Sequence, residues 1–281
     1  MVFDGCTDDS KQAVKEEFPE VVIVESPERQ GSVPSRDTGF RLANGDIIVS
    51  LDDDSHPLQT DFVARVSELA TSHPEAGIFA FREVRTCWPK DYRPSATETV
   101  PQYIGSYANC AGAIRRKLYG EVVSYPRFLS HMYEEPDSCL QAYGAGYAAW
   151  YEPSITVFHH ASPVQRSEIG RHHLNARNEL WSVILRCPLP HILWIGPFRI
   201  FRQFAYAMSN GWSWVRVEPR WWMSAASGFW ECLRERKPIP WQIYWSWMRL
   251  ARSPVFSLEE MSDRFYTVAN RRAEPRPGAS G

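Results

Sequence analysis

The first third of the chain alternates between strand-like and helix-like patterns, and this alternation restricts the fold more than any other feature. Residues 21–26 (VVIVES), 46–51 (DIIVSL) and 77–82 (GIFAFR) are short apolar runs that predict buried strands. Residues 35–44 and 60–73 have the residue pattern of helices between those strands. The β-α-β-α-β order predicts an α/β domain with a mainly parallel sheet and helices on its faces.

Later segments predict further elements of the same domain. Residues 109–122 (NCAGAIRRKLYGEV) start with a small-residue turn that leads into a short predicted helix. Residues 133–147 (YEEPDSCLQAYGAGY) predict an acidic loop that opens a helix, and residues 155–160 (ITVFHH) predict a strand ending in two histidines. For the helix at 35–44, Ser35 is the expected N-cap.

Three adjacent carboxylates, Asp52, Asp53 and Asp54, follow the strand predicted at 46–51. Like charges this close raise each other's pKa, so the cluster predicts a positive partner. In parallel sheets, ligands bind beyond the carboxyl ends of the strands. A hard divalent cation, with phosphate oxygens completing its shell, suits such a cluster, and a solvated acidic turn is the alternative.

Composition limits the class of protein. The chain has 281 residues, of which 44% are apolar, so it can form one large domain or a domain with an extension. A net charge of −2 argues against a general nucleic-acid binder. Six cysteines without a CxxC pair are typical of reduced thiols rather than of a disulfide framework or a zinc site.

Arginine and tryptophan are concentrated in the C-terminal third, where ten of the twelve tryptophans lie between Trp181 and Trp247. On amphipathic segments this composition is typical of contact with an anionic membrane surface, and an aromatic helical core is the alternative. Proline, histidine and arginine interrupt the apolar stretch 188–208, which is therefore predicted not to span a bilayer. We assign residues 166–256 to an amphipathic helical extension and 257–281 to a polar tail, disordered towards its end.

Five motifs follow one another at characteristic spacing: VFDGCTDDS at 2–10, SRDTGFRLANGDIIVSLDDD at 35–54, AGAIRR at 111–116, YEEPDSCLQAYGAGY at 133–147 and PSITVFHH at 153–160. In this order they resemble the family 2 glycosyltransferases of the GT-A fold, particularly the rhamnosyltransferase-like bacterial members. The resemblance implies a GT-A domain over residues 1–165, with a mainly parallel sheet, flanking helices and a C-terminal helical extension.

The sequence departs from the family pattern in three places. The family usually has a strand and a helix before the first motif, and the resemblance therefore implies a domain that is N-terminally incomplete. Asp37 stands where the family usually has asparagine, and Glu135 stands where it usually has aspartate. These departures keep open the alternative of a truncated, catalytically inactive relative.

The resemblance also implies roles for individual residues. Donor-binding roles fall on Asp4, Asp9, Arg36, Asp52 and Asp53. Asp54 and His159 are implied to hold Mg2+ or Mn2+ at the donor diphosphate. Glu135 is the implied catalytic base, and Glu134 is the other candidate. The alternatives are that the two glutamates merely favour a helix N-terminus and that His159 is an ordinary strand-end histidine.

The implied reaction moves a hexosyl or deoxyhexosyl group from a nucleotide-diphosphate sugar to a hydroxyl on a saccharide or lipid-linked saccharide. A divalent ion neutralises the departing diphosphate, a carboxylate takes the hydroxyl proton, and direct attack inverts the anomeric carbon. The implied setting is cell-envelope polysaccharide or glycolipid synthesis at the cytoplasmic face of the cell membrane, with peripheral membrane contact. A nucleotidyltransferase with a similar nucleotide-binding half is the second alternative.

Overall fold

The structure is a computed structural model that describes residues 1–85, 96–160 and 167–266. Its strands are β1 Val2–Asp4, β2 Val24–Ser26, β3 Ile47–Ser50, β4 Ser55–Pro57, β5 Ala76–Arg85, β6 Gln102–Tyr103, β7 Gly112–Arg115 and β8 Ala148–His159. Its helices are α1 Ser10–Glu17, α2 Ser32–Leu42, α3 Phe62–Ser72, α4 Ala96–Thr99, α5 Glu134–Gly144, α6 Glu168–Arg186, α7 Ile192–Asn210, α8 Trp212–Val215, α9 Pro219–Ser227, α10 Phe229–Arg234, α11 Trp241–Leu250 and α12 Leu258–Phe265.

The central sheet has the strand order β3-β7-β5-β8-β4, and β6 also pairs with β8. Strands β5 and β8 run parallel, but β7 runs antiparallel to β3 and β5, and β4 and β6 run antiparallel to β8. The expectation of a mainly parallel sheet is therefore corrected to a mixed sheet. Strands β3 and β5 point the same way, as the alternation predicts, but β7 lies between them. Strands β1 and β2 pair in parallel as a separate two-stranded sheet.

Strand β7 occupies part of the segment 109–122, so the short helix predicted there is wrong. Ile114 in β7 lies opposite Ile48 in β3 and Ile78 in β5, and all three side chains are buried. A Cβ on Gly112 would lie 2.7 Å from the ring of Tyr107, so this close packing requires glycine. Burial of apolar side chains between two strands outweighs the weak helix propensity of the segment.

Helix α2 begins at Ser32, and its N-cap is Gly31 with a φ of 105°, so the expected N-cap Ser35 lies inside the helix. The carboxylate of Asp4 accepts hydrogen bonds from the backbone N–H groups of Gln30 and Gly31, at 2.7 and 2.8 Å. The loop before the helix is thus held by a residue from β1. Because this contact is long-range, the local pattern around Ser35 does not reveal it.

The predicted extension is helical from α6 to α11, and α6 packs against α5, α7, α9 and α10. A buried ion pair joins it to the domain: Arg186 of α6 donates to both carboxylate oxygens of Asp137 in α5, at 3.0 and 2.9 Å. Ser182 of α6 donates to the same carboxylate at 2.7 Å. No helix within the described part of the chain is long and apolar enough to cross a membrane.

Residues 258–265, predicted as part of a polar tail, form helix α12 instead. Its Met261 and Phe265 are buried, and the Phe265 ring stacks on Tyr143 of α5 at 4.3 Å between centroids. Each such side chain contributes about 1.5–3 kcal/mol by leaving water. These two apolar residues, four apart, are the sequence signal for the helix. The end of the predicted tail, 267–281, lies outside the described residues.

Candidate active site

The carboxyl ends of three strands meet at one edge of the central sheet. Asp52 and its neighbours follow β3, Glu83 lies near the end of β5, and His159 is the last residue of β8. Arg36 of α2 joins the N-terminus of α5 to this edge, because it forms ion pairs with both Asp52 and Glu134, the first residue of α5. The fold therefore brings predicted residues from distant motifs together.

Arg36 is the positive partner that the aspartate cluster predicts. Its guanidinium forms an ion pair with Asp52 and another with Glu134, the latter at 3.2 Å. Burial by itself lowers the pKa of Arg36, but the charges of Asp52 and Glu134 outweigh it and raise that pKa above its usual range. The arginine therefore stays charged and ties the end of β3 to the start of α5.

His159 lies between two carboxylates. Its Nδ1 is 2.5 Å from Glu83 Oε1, and its Nε2 is 3.1 Å from Asp54 Oδ1. A neutral imidazole has only one N–H, so it donates to only one of these carboxylates. The second contact requires a proton or a metal ion at the other nitrogen. If Glu83 accepts from Nδ1–H, the Nε2 lone pair is directed towards Asp54 and free to bind a cation.

The residues near His159 fit a divalent cation. Asp52, Cys110 and His159 each place one ligand atom within 4.8 Å of the others, and Asp54 is in direct contact with His159. Mg2+ and Mn2+ prefer carboxylate oxygen and imidazole nitrogen to a thiol. Burial and the charges of Glu83 and Asp52 raise the pKa of Cys110, whose Sγ lies 3.4 Å from Glu83. The fitting donors are therefore the two aspartates and the histidine.

Glu134 is the more fixed of the two predicted acids. It is buried, and its Oε1 accepts hydrogen bonds from Arg36 at 3.2 Å and from the side-chain amide of Asn109 at 3.1 Å. The side-chain oxygen Oδ1 of Asn109 accepts a hydrogen bond from the Tyr125 hydroxyl at 2.9 Å. Glu134 Oε2 is buried and has no hydrogen-bond partner among the described residues. A buried, unsatisfied carboxylate oxygen costs stability, so it marks a position that a ligand could complete.

Glu135 is partly exposed, and its carboxyl has a different environment. Burial of the carboxyl and the neighbouring charge of Glu134 raise the pKa of Glu135 to about 8. Backbone N–H groups and Arg36 oppose this shift without cancelling it. A carboxylate with a pKa in this range is a stronger base than an ordinary one, and the exposed part of the Glu135 side chain is accessible to a hydroxyl.

The loop just before α5 has an unusual backbone. Ser130, Met132 and Tyr133 have φ values of 60°, 73° and 73°, which non-glycine residues seldom adopt. Nδ2 of the fully buried Asn178 of α6 lies 3.0, 2.8 and 2.8 Å from the carbonyl oxygens of Leu129, His131 and Met132, which share its two N–H donors. Helix α6 thus holds the strained backbone that presents Glu134 and Glu135.

Some predicted residues lie away from this cluster. Asp4 holds the loop before α2, and Asp9 is an exposed residue at the start of α1 without a capping hydrogen bond. Asp53 is exposed beside its two neighbours, and none of the described residues forms a hydrogen bond or ion pair with it. Asp37 is buried and bonded to Arg41, Arg127 and Tyr119, so it stabilises α2.

Sequence reasoning missed three residues of the cluster: Glu83, Asn109 and Asn178. Glu83 directly follows the strand predicted at 77–82. A carboxylate at the end of an apolar strand is the sequence signal that could have identified it as a site residue. Asn109 is the first residue of the segment 109–122, two positions before the motif AGAIRR. Asn178 carries no local signal, because its partners lie 46 to 49 residues earlier in the chain.

Comparison with known proteins gives a family match over part of the chain and a fold. Residues 1–124 match the family described as Glycosyl transferase family 2. No curated protein matches the chain. Among solved structures, the mannosyltransferase PcManGT from Pyrobaculum calidifontis, in complex with GDP-Man and Mn2+, is 17% identical with a TM-score of 0.51, and the match covers 82% of this chain and 76% of that one.

Two further structures are similar. Residues 1–349 of S. aureus TarS, in complex with UDP-GlcNAc, are 14% identical with a TM-score of 0.54, over 98% of this chain and 82% of that one. GalNAc-T7 with UDP, GalNAc and Mn2+ is 14% identical with a TM-score of 0.50, over 65% and 40%. The GT-A fold is confirmed, and so is the resemblance to glycosyl transferase family 2, over residues 1–124.

Proposed function

We propose that this chain is a metal-dependent inverting glycosyltransferase that moves a sugar from a nucleotide-diphosphate donor to a hydroxyl acceptor. The observation that carries the proposal is the ion-pair network Asp52–Arg36–Glu134, which lies next to Glu135, a partly exposed carboxyl whose pKa is raised by burial and by Glu134. The family match supports a glycosyltransferase. Similar structures hold GDP-Man and UDP-GlcNAc, which supports a nucleotide-sugar donor.

The donor would bind at the carboxyl end of β3. Asp52 and Asp53, with Arg36 fixing Asp52, would bind the nucleotide sugar, and Asp4 and Asp9 would act at the outer, nucleotide side. Asp54 and His159, with Asp52 close by, would hold Mg2+ or Mn2+, as the fit of these donors supports. When bound, the ion would neutralise the negative charge that develops on the departing diphosphate. Glu83 would keep the His159 ring oriented.

Glu135 would act as the general base. Its side chain has a raised pKa, so it binds a proton strongly, and the adjacent Glu134 is fixed by Arg36 and Asn109. The base would take the proton of the acceptor hydroxyl as that oxygen attacks the anomeric carbon. Attack opposite the leaving diphosphate inverts the anomeric configuration in a single displacement. The strained loop held by Asn178 would set the direction of the carboxyl.

We further propose that the helical extension contacts an anionic membrane surface and that the acceptor is a saccharide or lipid-linked saccharide of the cell envelope. Large apolar side chains are exposed on α7 to α10: Leu193, Trp194, Phe198, Phe201, Met208, Trp212, Trp222, Met223, Phe229 and Trp230. Exposed arginines accompany them: Arg202, Arg216, Arg220 and Arg234. Exposed apolar surface of this extent, with cations beside it, supports interfacial binding rather than a free aqueous surface.

An apolar groove continues this exposed surface inward. It has a volume of about 460 Å³ and lies between α6, α7 and α9, with Ile184, Ile200 and Trp221 in its lining. Trp222 and Phe229 belong both to the groove and to the exposed surface. Sedimentation with vesicles containing phosphatidylglycerol tests the contact. The double variant Phe201→Ser/Trp230→Ser should lose binding, whereas Val63→Ser, an exposed apolar residue on α3, should not.

Calorimetry tests the donor site. The chain would be titrated with UDP, dTDP and GDP, each with and without Mn2+ or Mg2+. Asp54→Ala should abolish the metal-dependent part of binding, whereas the matched exposed variant Arg65→Ala on α3 should keep it. Binding that is metal-independent, or that survives in Asp54→Ala, would contradict the assigned metal site. Absence of binding by a folded wild-type chain would favour the catalytically inactive alternative.

A further inference from the structure

A polar cavity, distinct from the apolar groove described above, lies next to the loop that presents the proposed base. It has a volume of about 460 Å³, is open to solvent, and is bordered by the loop before α5, by α6 and by α7. Its lining includes Met132, Arg171, Asn175, Gln203 and Tyr206. None of these residues belongs to the donor site described above. The cavity is therefore separate from the donor site.

Met132 connects this cavity to the active site. It lies three residues before Glu135, has a φ of 73°, and its carbonyl is held by Asn178 at 2.8 Å. The pKa of the adjacent His131 depends on charges in the active site and in the cavity. Burial lowers the pKa of His131, Glu134 opposes this, and Arg171 of the cavity lowers it further. A molecule in the cavity is thus close to the loop that carries the base.

The cavity has a surplus of positive charge. Arg171 is partly buried, and no hydrogen bond or ion pair joins its guanidinium to any of the described residues. Arg202 shares the buried carboxylate of Glu179 with Arg199, so one negative charge faces two guanidinium groups. Glu168 lines the rim but is exposed and forms no ion pair with Arg171. A partly buried, unpaired guanidinium favours an anionic ligand.

Neutral hydrogen-bonding groups lie beside this charge. Arg171 and Asn175 are four residues apart on α6, so their side chains lie one above the other on the same face of the helix. The Tyr206 hydroxyl on α7 and the Asn175 amide have no hydrogen-bond partner among the described residues. His172 is not available, because the buried Glu218 binds its Nε2 at 2.8 Å. The three free groups suit a ligand that carries hydroxyls as well as a negative charge.

We propose that this cavity binds the acceptor and that the acceptor carries an anionic group, a phosphate or a carboxylate, held by Arg171 with Asn175 and Tyr206. The inference rests on the proposed transferase function and adds the chemical class of the acceptor. In this arrangement the anionic group fixes the acceptor in the cavity between α6 and α7. A hydroxyl of the same molecule then extends past Met132 to Glu135.

Ligand-observed NMR titration tests the cavity with three probes: glycerol 3-phosphate, glucuronate and the neutral methyl glucoside. We expect the wild-type chain to bind at least one anionic probe more tightly than the glucoside. Preference for glycerol 3-phosphate identifies a phosphate, and preference for glucuronate identifies a carboxylate. Arg171→Gln should weaken that binding by about tenfold or more, because a charge-assisted hydrogen bond is lost. Equal binding of all three probes would overturn the proposal.

Control variants separate the cavity from the general charge of the chain. Arg216→Gln removes an exposed arginine of the same extension and should leave probe binding unchanged. If Arg171→Gln does not fold, Tyr206→Phe removes only the hydroxyl of a half-exposed side chain and should weaken binding several-fold. An equal loss in the Arg216 variant, or no loss in either cavity variant, would refute the assignment.

The same samples distinguish this inference from the proposed function. UDP and Mn2+ should bind wild type and Arg171→Gln with equal affinity, because Arg171 lies outside the donor site. If nucleotide binding is intact and the anionic probes show no dependence on Arg171, the acceptor inference alone fails. If no nucleotide binds to any folded sample, the transferase proposal fails, and the probe titrations still decide what the cavity binds.

Discussion

Replacing Glu135 with glutamine should stabilise the ligand-free protein, and the gain should increase with pH. The pKa of Glu135 is raised from 4.5 to about 8 by burial of the carboxyl and by Glu134. Between these two values the unfolded carboxyl is ionised whereas the folded one is protonated. The folded state therefore binds more protons, and wild-type stability falls as pH rises through this window. Glutamine does not titrate, so the variant does not share this loss.

The magnitude follows from the shift. One pKa unit corresponds to about 1.4 kcal/mol, so the interval from pH 6 to pH 8 should cost wild type on the order of 2 kcal/mol relative to Glu135→Gln. Urea unfolding followed by tryptophan fluorescence at pH 6, 7 and 8, without nucleotide or metal, measures this difference. Glu68→Gln, at an exposed carboxyl on α3, is the control. If the difference in unfolding free energy between wild type and Glu135→Gln stays constant from pH 6 to pH 8, the pKa of Glu135 is not raised in the folded protein.

Three further outcomes are expected. Glu83→Gln should weaken Mn2+ binding, measured by calorimetry, by about 10- to 100-fold, because His159 loses the carboxylate that orients its ring. Unchanged Mn2+ affinity would contradict this role of Glu83. Asn178→Ala should lower the kcat of glycosyl transfer and leave donor affinity unchanged, because the strained loop loses the hydrogen bonds from the Asn178 amide. An equal loss of kcat and of donor affinity would indicate a general folding defect. Arg186→Met should lower the free energy of unfolding, measured with urea, by about 3–5 kcal/mol, because Asp137 is left buried without its ion-pair partner. An unchanged free energy of unfolding would contradict the role of the Arg186–Asp137 pair.

Much of the site could be predicted because it lies at the ends of elements with a strong local pattern. Asp52 and Asp54 follow an apolar strand, His159 ends another strand, and Glu134 and Glu135 open a helix. These placements depend on local sequence, and the topology of the sheet brings them together. The pairing of Arg36 with both Asp52 and Glu134 needed the structure, because it joins three segments separated along the chain.

The missed features depend on distant contacts. The segment around Gly112 has no strand pattern of its own, and it becomes β7 because β3 and β5 lie on either side of it. Likewise, α12 forms in a polar segment because Met261 and Phe265 find apolar partners such as Tyr143. Local propensity is too weak to decide such cases, and tertiary packing determines them.

The configuration of the reaction product decides between inverting glycosyl transfer and its alternatives. Nucleotide-diphosphate sugars would be incubated with the chain, Mn2+ and an anionic hydroxyl acceptor, and proton NMR would report the anomeric configuration of the product. We expect transfer with inversion and release of a nucleoside diphosphate. The rate should rise with pH through about 8 and fall by about 100-fold or more in Glu135→Gln. Retention of configuration, release of pyrophosphate, or full activity of Glu135→Gln would contradict this expectation.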